Sequence, residues 1–335
     1  ENHSFVPRGI SSIIVAAGRL FFCFVGFDAV SSLSEEVKKP KRDLPIGILS
    51  SLFITALLYI GVSLVLTAMV PFTSINPEAP LVHAFEAVGI SWGGKVVALG
   101  ALLGTSACAL NCLVGQNRIF YAMSVDGLWL PIFSKVWDRT HVPTVGAIII
   151  GICAALIAFF TSLDALANAI SVGTLLAFCA VNAGVIVVRY NSPGRPWWQC
   201  PLLLSGFVIF WLGAGFSYMY QGPAWVTLPL VGISIIFFIL LFLYRNPQVL
   251  PTGSFVCPWV PVIPCGGLAV NLFMLAGLDY TAWVRFIVWS LFGLVVYFSY
   301  GISHSKLRSY NQTAHETSPE TTPLSSPPLA TEELK

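Results

Sequence analysis

The residues best suited to do chemistry in this sequence are a carboxylate and a glycine inside an apolar stretch. From Gly18 to Gly47 the sequence reads GRLFFCFVGFDAVSSLSEEVKKPKRDLPIG, which places Asp28 two positions after Gly26 and just before a cluster of charges. A carboxylate is costly in hydrocarbon, so Asp28 is expected to face protein or water and to mark a functional path. Gly26 lets the backbone leave helical geometry, which is tolerated at membrane depth only where the backbone lines a cavity. The stretch indicates a broken membrane helix; the alternative is an ordinary helix with one polar residue near its end.

The composition places this stretch in a membrane protein. Of 335 residues, 56% are hydrophobic and only 10% are charged, and the mean hydropathy is +0.81. A soluble globular domain of this size could not cover so apolar a chain with a polar surface. The net charge of +2 is too small to indicate nucleic-acid binding, so membrane lipid is an expected partner and nucleic acid is not. The eight cysteines lack metal-ligand spacing and are interpreted as small packing residues, with no metal or cofactor expected.

Apolar segments long enough to cross a bilayer recur along the chain, because about 20 such residues span its core. They predict an all-α polytopic membrane protein with nine crossings, at residues 10–33 (broken), 46–70, 94–121, 143–162, 166–188, 201–220, 224–244, 260–279 and 284–303. The uncharged run 196–244 is too long for one crossing, and the turn signal Gln221-Gly222-Pro223 divides it into a hairpin.

The basic residues predict the orientation of these crossings. Nine crossings put the loops alternately on two sides, and the loops of one side hold nearly all loop Lys and Arg, from Lys38 to Arg308. By the positive-inside rule that side is cytosolic, as is the C-terminus. Residues 1–303 are predicted to form the membrane region, and residues 304–335, rich in Ser, Thr, Pro and Glu, a disordered cytosolic tail.

The third crossing carries a second group of candidate residues. Gly100, Gly104 and Cys108 recur at four-residue intervals and form a face of small residues that lets another helix approach closely. Asn111 lies close to the same face. Its amide is expected either to hydrogen-bond a neighbouring helix or to bind substrate.

Other classes of membrane protein fit the sequence less well. The five histidines fall in loops, termini or the tail, and no HxxxH, GxSxG or phosphate-binding glycine loop occurs, so the chain is not expected to be an enzyme. A channel would show a ring of charges or a repeated filter sequence, and neither is present. The broken helix with its carboxylate therefore favours a transporter.

Several motifs resemble those of the cationic amino acid transporters, a family of the amino acid-polyamine-organocation superfamily. They are the broken helix Phe21–Ser32, Glu35-Glu36-Val37, Pro40, the run Arg42–Ile48, the run Gly115–Met123 with Asp126-Gly127-Leu128, Ser171–Leu175, Val187–Tyr190 and Arg285–Gly301. The resemblance covers about residues 5–308, and the first motif is highly specific.

The resemblance implies an inverted-repeat (LeuT-like) transporter fold of fourteen helices, of which this chain holds the last nine. The first five helices would then lie outside the chain, and transport would require them. The unwound backbone at Phe22, Cys23 and Val25 would receive the α-amino group of the substrate, with Gly26 and Asp28 shaping the break. The Asp28 carboxylate would either stabilise the cationic substrate or a coupled proton, or cap the second half-helix through its N-terminal amides.

The predicted function is that of a permease that moves amino acids, cationic ones such as Arg, Lys or ornithine, across a plasma or vacuolar/lysosomal membrane by alternating access. Antiport and symport both remain open. The alternative is a transport-incompetent truncated isoform, or a membrane receptor or scaffold that acts through partners.

Overall fold

The computed structural model describes residues 9–24, 26–32, 37–76, 79–139, 142–190, 196–244 and 255–306. Helices account for all the regular secondary structure within these ranges. The α-helices are α1 Gly9–Leu20, α2 Phe27–Ser32, α3 Pro40–Met69, α4 Pro80–Ala87, α5 Ser91–Val125, α6 Thr144–Phe160, α7 Leu163–Tyr190, α8 Gln199–Met219, α9 Ala224–Leu243, α10 Val262–Ala276, α11 Tyr280–Val296 and α12 Ile302–His304. A 3-10 segment, Phe21–Phe24, joins α1 towards α2, and a π-helix, Tyr297–Gly301, joins α11 to α12.

Each of the nine predicted crossings coincides with a helix or, at residues 10–33, with an interrupted one. Six helices of the described residues are long and apolar enough to cross a membrane: α3, α5, α7, α8, α9 and the α11–α12 run. α6 and α10 are apolar but shorter, with 17 and 15 residues. The all-α membrane fold is confirmed. The short helix α4 was not predicted, because eight residues that begin with Pro80 give too brief a periodic signal.

The chain divides into two compact units, residues 1–116 with 151–290 and residues 117–150 with 291–335. The core of the first unit is a bundle of α7, α8, α9 and α10, in which α10 packs against α7 and α8, and α8 pairs with α9. Fully buried side chains come from three of these helices: Leu175 and Ile186, Leu241, and Leu268 and Leu275. The α8–α9 hairpin turns where predicted, with Gln221 at φ +53°.

Polar and small residues fix the contacts within this bundle. The Trp211 indole Nε1 donates a hydrogen bond to the Ala269 carbonyl at 2.8 Å, which joins α8 to α10. A Cβ added at Gly215 would lie 3.0 Å from the Ala276 Cβ, so the two helix backbones approach closely. In a bilayer there is no hydrophobic driving force between helices, so close approach at small residues and interhelical hydrogen bonds hold them together.

Helices α3 and α5 are far less enclosed. Within Pro40–Met69, all of which the structure describes, no residue is buried, and α3 packs only against α2 and α4 among the closely packed helix pairs of the described ranges. The most apolar stretch of α5 is likewise free of buried residues. Around Gly100 and Gly104, no described atom lies within 4 Å of an added Cβ.

The second unit joins the turn after α5 to the end of the last helix. Gly127 has φ +78°, and a Cβ added there would collide with the His304 carbonyl. The Lys306 N–H donates a hydrogen bond to the Asp126 carbonyl at 3.1 Å. The polypeptide therefore returns to the end of α5 immediately before residue 307, where the described residues end. Of the predicted disordered tail, residues 304–306 are described and His304 ends α12, whereas residues 307–335 lie outside the described ranges.

Candidate functional site

The interruption of the first helix is a clear departure from regular helical structure among the described residues. α1 ends at Leu20, the backbone tightens into the 3-10 segment Phe21–Phe24, and α2 begins at Phe27. Between the last two, Gly26 adopts φ +131°. The predicted break is therefore present, and it falls where the resemblance placed the substrate.

Gly26 is needed here for its backbone conformation. An L-residue with a side chain rarely adopts this φ, and positions of this kind are almost always glycine. A Cβ added at Gly26 meets no described atom within 4 Å, so close packing does not explain the glycine. Glycine is therefore required at this position by the backbone conformation and not by close packing.

A single aromatic ring bridges the two sides of the break. Phe178, on α7, contacts the ring of Phe21 with centroids 5.6 Å apart and the ring of Phe27 with centroids 5.2 Å apart. Phe21 opens the 3-10 segment and Phe27 is the first residue of α2. Aromatic pairs at these distances contribute about 0.5–1.5 kcal/mol each beyond the area they bury. The break is therefore anchored on α7, a helix of the packed bundle.

The half-helix before the break rests on the same bundle. Gly18 is buried, and a Cβ added there would lie 3.1 Å from the Met274 carbonyl oxygen of α10 and 3.6 Å from Leu278 Cδ2. α1 consequently lies backbone to backbone on α10.

Tyr59 is a further contact to the break. This residue of α3 donates a hydrogen bond from its hydroxyl to the Cys23 carbonyl at 3.0 Å. Its ring packs edge-on against Phe24, with centroids 5.3 Å apart. Sequence reasoning missed Tyr59. The only available signal was a phenol within an apolar helix, which needs a partner for its hydroxyl.

The structure places the predicted site residues in different elements. Phe22 and Cys23 lie in the 3-10 segment, Cys23 is exposed, and Val25 lies outside the described residues. Asp28 was predicted either to serve the substrate or to cap α2. The structure places it as the second residue of α2, in the first turn of that helix.

Asn111 is not brought to this group. It is exposed on α5, and among the helix pairs that pack closely within the described ranges none joins α5 to α1, the 3-10 segment or α2. The structure therefore assembles one cluster around the break, made of the 3-10 segment, Gly26, Phe178 and Tyr59.

Comparison with known families decides the class of protein. Residues 1–269 match the family model described as amino acid permease, and residues 255–305 match the model for the C-terminus of these permeases. The chain belongs to the amino acid permease family. This membership agrees with a transporter and not with an enzyme, and it confirms the family resemblance found in the motifs.

Individual permeases extend the comparison. The chain is 32% identical to cationic amino acid transporter 3, mitochondrial, of Arabidopsis thaliana, over 93% of this chain and 61% of the relative. It is 34% identical to mouse cationic amino acid transporter 4, over 91% and 58%. It is also 33% identical to a branched-chain amino acid permease of Bacillus subtilis, over 90% and 54%. The chain thus spans somewhat more than half the length of these curated relatives.

Proposed function

We propose that the full-length protein is a secondary transporter that moves amino acids across a membrane by alternating access, with the broken helix as part of its substrate site. The observation that carries this proposal is the interruption of the first helix, with the 3-10 segment Phe21–Phe24 and the positive φ of Gly26, within a member of the amino acid permease family. Discontinuous helices of secondary transporters use such backbone groups to bind charged parts of the substrate.

The roles at the break follow from the chemistry of its groups. Backbone carbonyls of Phe22, Cys23 and Val25 accept hydrogen bonds and suit the α-ammonium of an amino acid. Asp28 lies in the first turn of α2, and Gly26 separates this helix from the carbonyl groups of the 3-10 segment.

A cationic substrate is the more specific part of the proposal. The motifs that resemble cationic amino acid transporters support it, and so do the names of the plant and mouse relatives. The bacterial relative is named for branched-chain amino acids, so the decisive comparison is between arginine or lysine and leucine.

Uptake by the full-length protein in proteoliposomes tests the function directly. We expect saturable uptake of labelled arginine and lysine, and weaker uptake of leucine. Equal uptake of leucine would contradict the cationic preference and leave amino acid transport standing. No uptake of any amino acid would refute the transporter and favour the transport-incompetent alternative.

Substitution of the glycine tests the site. Gly26→Ala adds a methyl group into open space, so any loss comes from the backbone conformation, for which a non-glycine residue costs about 1–3 kcal/mol. We expect uptake to fall about five- to hundredfold with membrane insertion intact, and Gly26→Leu to abolish it. Gly232→Ala on α9 is the matched control, because it too meets no described atom within 4 Å but has ordinary helical geometry.

The orientation is proposed on the basic residues. The loop near Lys41 and the C-terminus at Lys335 would be cytosolic, and the loop near Asn76 would face the opposite side. Single-cysteine labelling at these three positions checks the assignment, and labelling of Lys41 and Asn76 positions from the same side would refute it.

A further inference from the structure

The contact between Tyr59 and the 3-10 segment has a chemical reason. In a regular helix the Cys23 carbonyl would accept the N–H of Phe27, four residues later. Gly26, at φ +131°, takes the backbone off that path. A backbone carbonyl without a partner at membrane depth costs several kcal/mol. The Tyr59 hydroxyl, 3.0 Å from the Cys23 oxygen, supplies the partner from another helix.

We propose that Tyr59 is a positioning residue for the α-amino group of the substrate. A carbonyl oxygen has two lone pairs, so the Cys23 oxygen can accept the Tyr59 hydroxyl and still accept a substrate ammonium. The hydroxyl and the ring contact with Phe24 hold this oxygen in its orientation within the 3-10 segment before the substrate arrives. This inference rests on the proposed function, because it concerns the same broken helix.

The role makes a prediction about specificity. Every amino acid carries the α-ammonium group, whereas the side chains differ. Loss of the Tyr59 hydroxyl should therefore raise the KM of every transported amino acid by the same factor. The order of preference among them should stay unchanged. An analogue that lacks the α-amino group makes no use of the oriented carbonyl and should be insensitive to the change.

The experiment uses the full-length protein in proteoliposomes with Tyr59→Phe, which removes the hydroxyl and keeps the ring. We expect the KM to rise about tenfold for each amino acid that the wild type takes up. Inhibition of arginine uptake by 5-guanidinopentanoate, which is arginine without its α-amino group, should keep its wild-type constant. Tyr59→Leu removes the ring contact as well and should have a larger effect.

A matched control is available on α8. Tyr218 is as exposed as Tyr59, at 44%, and its ring also packs against a phenylalanine, Phe273, with centroids 5.7 Å apart. Tyr218→Phe should leave the KM within twofold of wild type. The positioning role of Tyr59 is overturned if Tyr59→Phe behaves like this control. It is also overturned if Tyr59→Phe weakens inhibition by 5-guanidinopentanoate as much as it weakens the binding of arginine, because that pattern indicates a general loss of structure.

Labelling of Cys23 separates this inference from the proposed function. Cys23 is exposed, so a membrane-permeant maleimide should modify it at a rate that mass spectrometry can follow in the wild type and each variant. We expect Tyr59→Phe to change this rate at least threefold and Tyr218→Phe to leave it unchanged. If the wild type takes up no amino acid, the proposed function fails together with the substrate role of Tyr59, and an altered labelling rate then assigns Tyr59 a structural contact only.

Discussion

Helices α7 and α8 differ sharply from α3 and α5, although all four are long and apolar enough to cross a membrane. In their most apolar stretches, 28% of the residues of α7 and α8 are buried, compared with none in α3 and α5. Apolarity therefore indicates that a helix belongs in a bilayer but does not indicate whether protein or lipid surrounds it. The packed helices are distinguished by close approaches such as Gly215 on Ala276, and by polar contacts such as Trp211 on Ala269.

The broken helix lies between these two regions. Phe178 anchors it to the packed bundle, while Tyr59 anchors it to the exposed helix α3. The break is consequently held both by a helix of the packed bundle and by a helix that has no buried residue among the described ranges. An element that changes conformation during transport is expected to have this kind of unequal support, because regions with few buried contacts open most easily.

The largest expected difference between the two regions is in the cost of removing core volume. Leu268 is 1% exposed on α10 and Leu64 is 65% exposed on α3. Leu268→Ala should destabilise the full-length protein by about 2–5 kcal/mol, since it leaves a cavity. Leu64→Ala should cost less than about 0.5 kcal/mol. Thermal unfolding in detergent measures both, and equal costs would show that α3 is as tightly enclosed as α10 in the complete protein.

A smaller effect is expected from enlarging the glycines at helix contacts. Gly215→Leu should cost about 1–3 kcal/mol, because its space is taken by Ala276. A Cβ added at Gly104 would meet no described atom within 4 Å. The face of small residues that includes Gly104 was nevertheless predicted to let another helix approach closely. If that prediction is right, Gly104→Leu should destabilise the full-length protein by a similar amount. A neutral result at Gly104, with Gly215→Leu still harmful, would assign that face to lipid.

The smallest expected effect concerns the charge beside the break. An acidic residue in the first turn of a helix contributes about 0.3–1 kcal/mol through the helix dipole, and Asp28 occupies such a position in α2. Asp28→Asn should therefore change uptake about two- to fivefold without altering its pH dependence. A loss of more than tenfold, or a shifted pH profile, would instead show that the carboxylate binds the cationic substrate or a coupled proton.

The sequence was sufficient for features that depend on local composition. Runs of about 20 apolar residues predicted the membrane segments, and Gln221-Gly222-Pro223 predicted the α8–α9 turn. Gly26 and Asp28 within an apolar stretch predicted the broken helix. The position of Asp28 in the first turn of α2 became known only from the helix boundary in the structure.

Contacts between distant segments could not be predicted in the same way. Tyr59 and Cys23 are 36 residues apart, and Phe178 is still further from Phe21. Nothing in the local pattern around Phe178 distinguishes it from the many other phenylalanines of the chain. The placement of Asn111 away from the break likewise depends on how whole helices pack, which hydropathy does not encode.

The joint between the turn after α5 and the last helix has a consequence for mutagenesis. Its hydrogen bond runs from the Lys306 N–H to the Asp126 carbonyl, and its close approach is to the backbone carbonyl of His304, so the joint is built from main-chain atoms. Replacing the Asp126 side chain leaves that carbonyl in place. Any residue other than glycine at position 127 introduces the collision. A scan that replaces side chains one at a time would therefore detect this joint chiefly through Gly127.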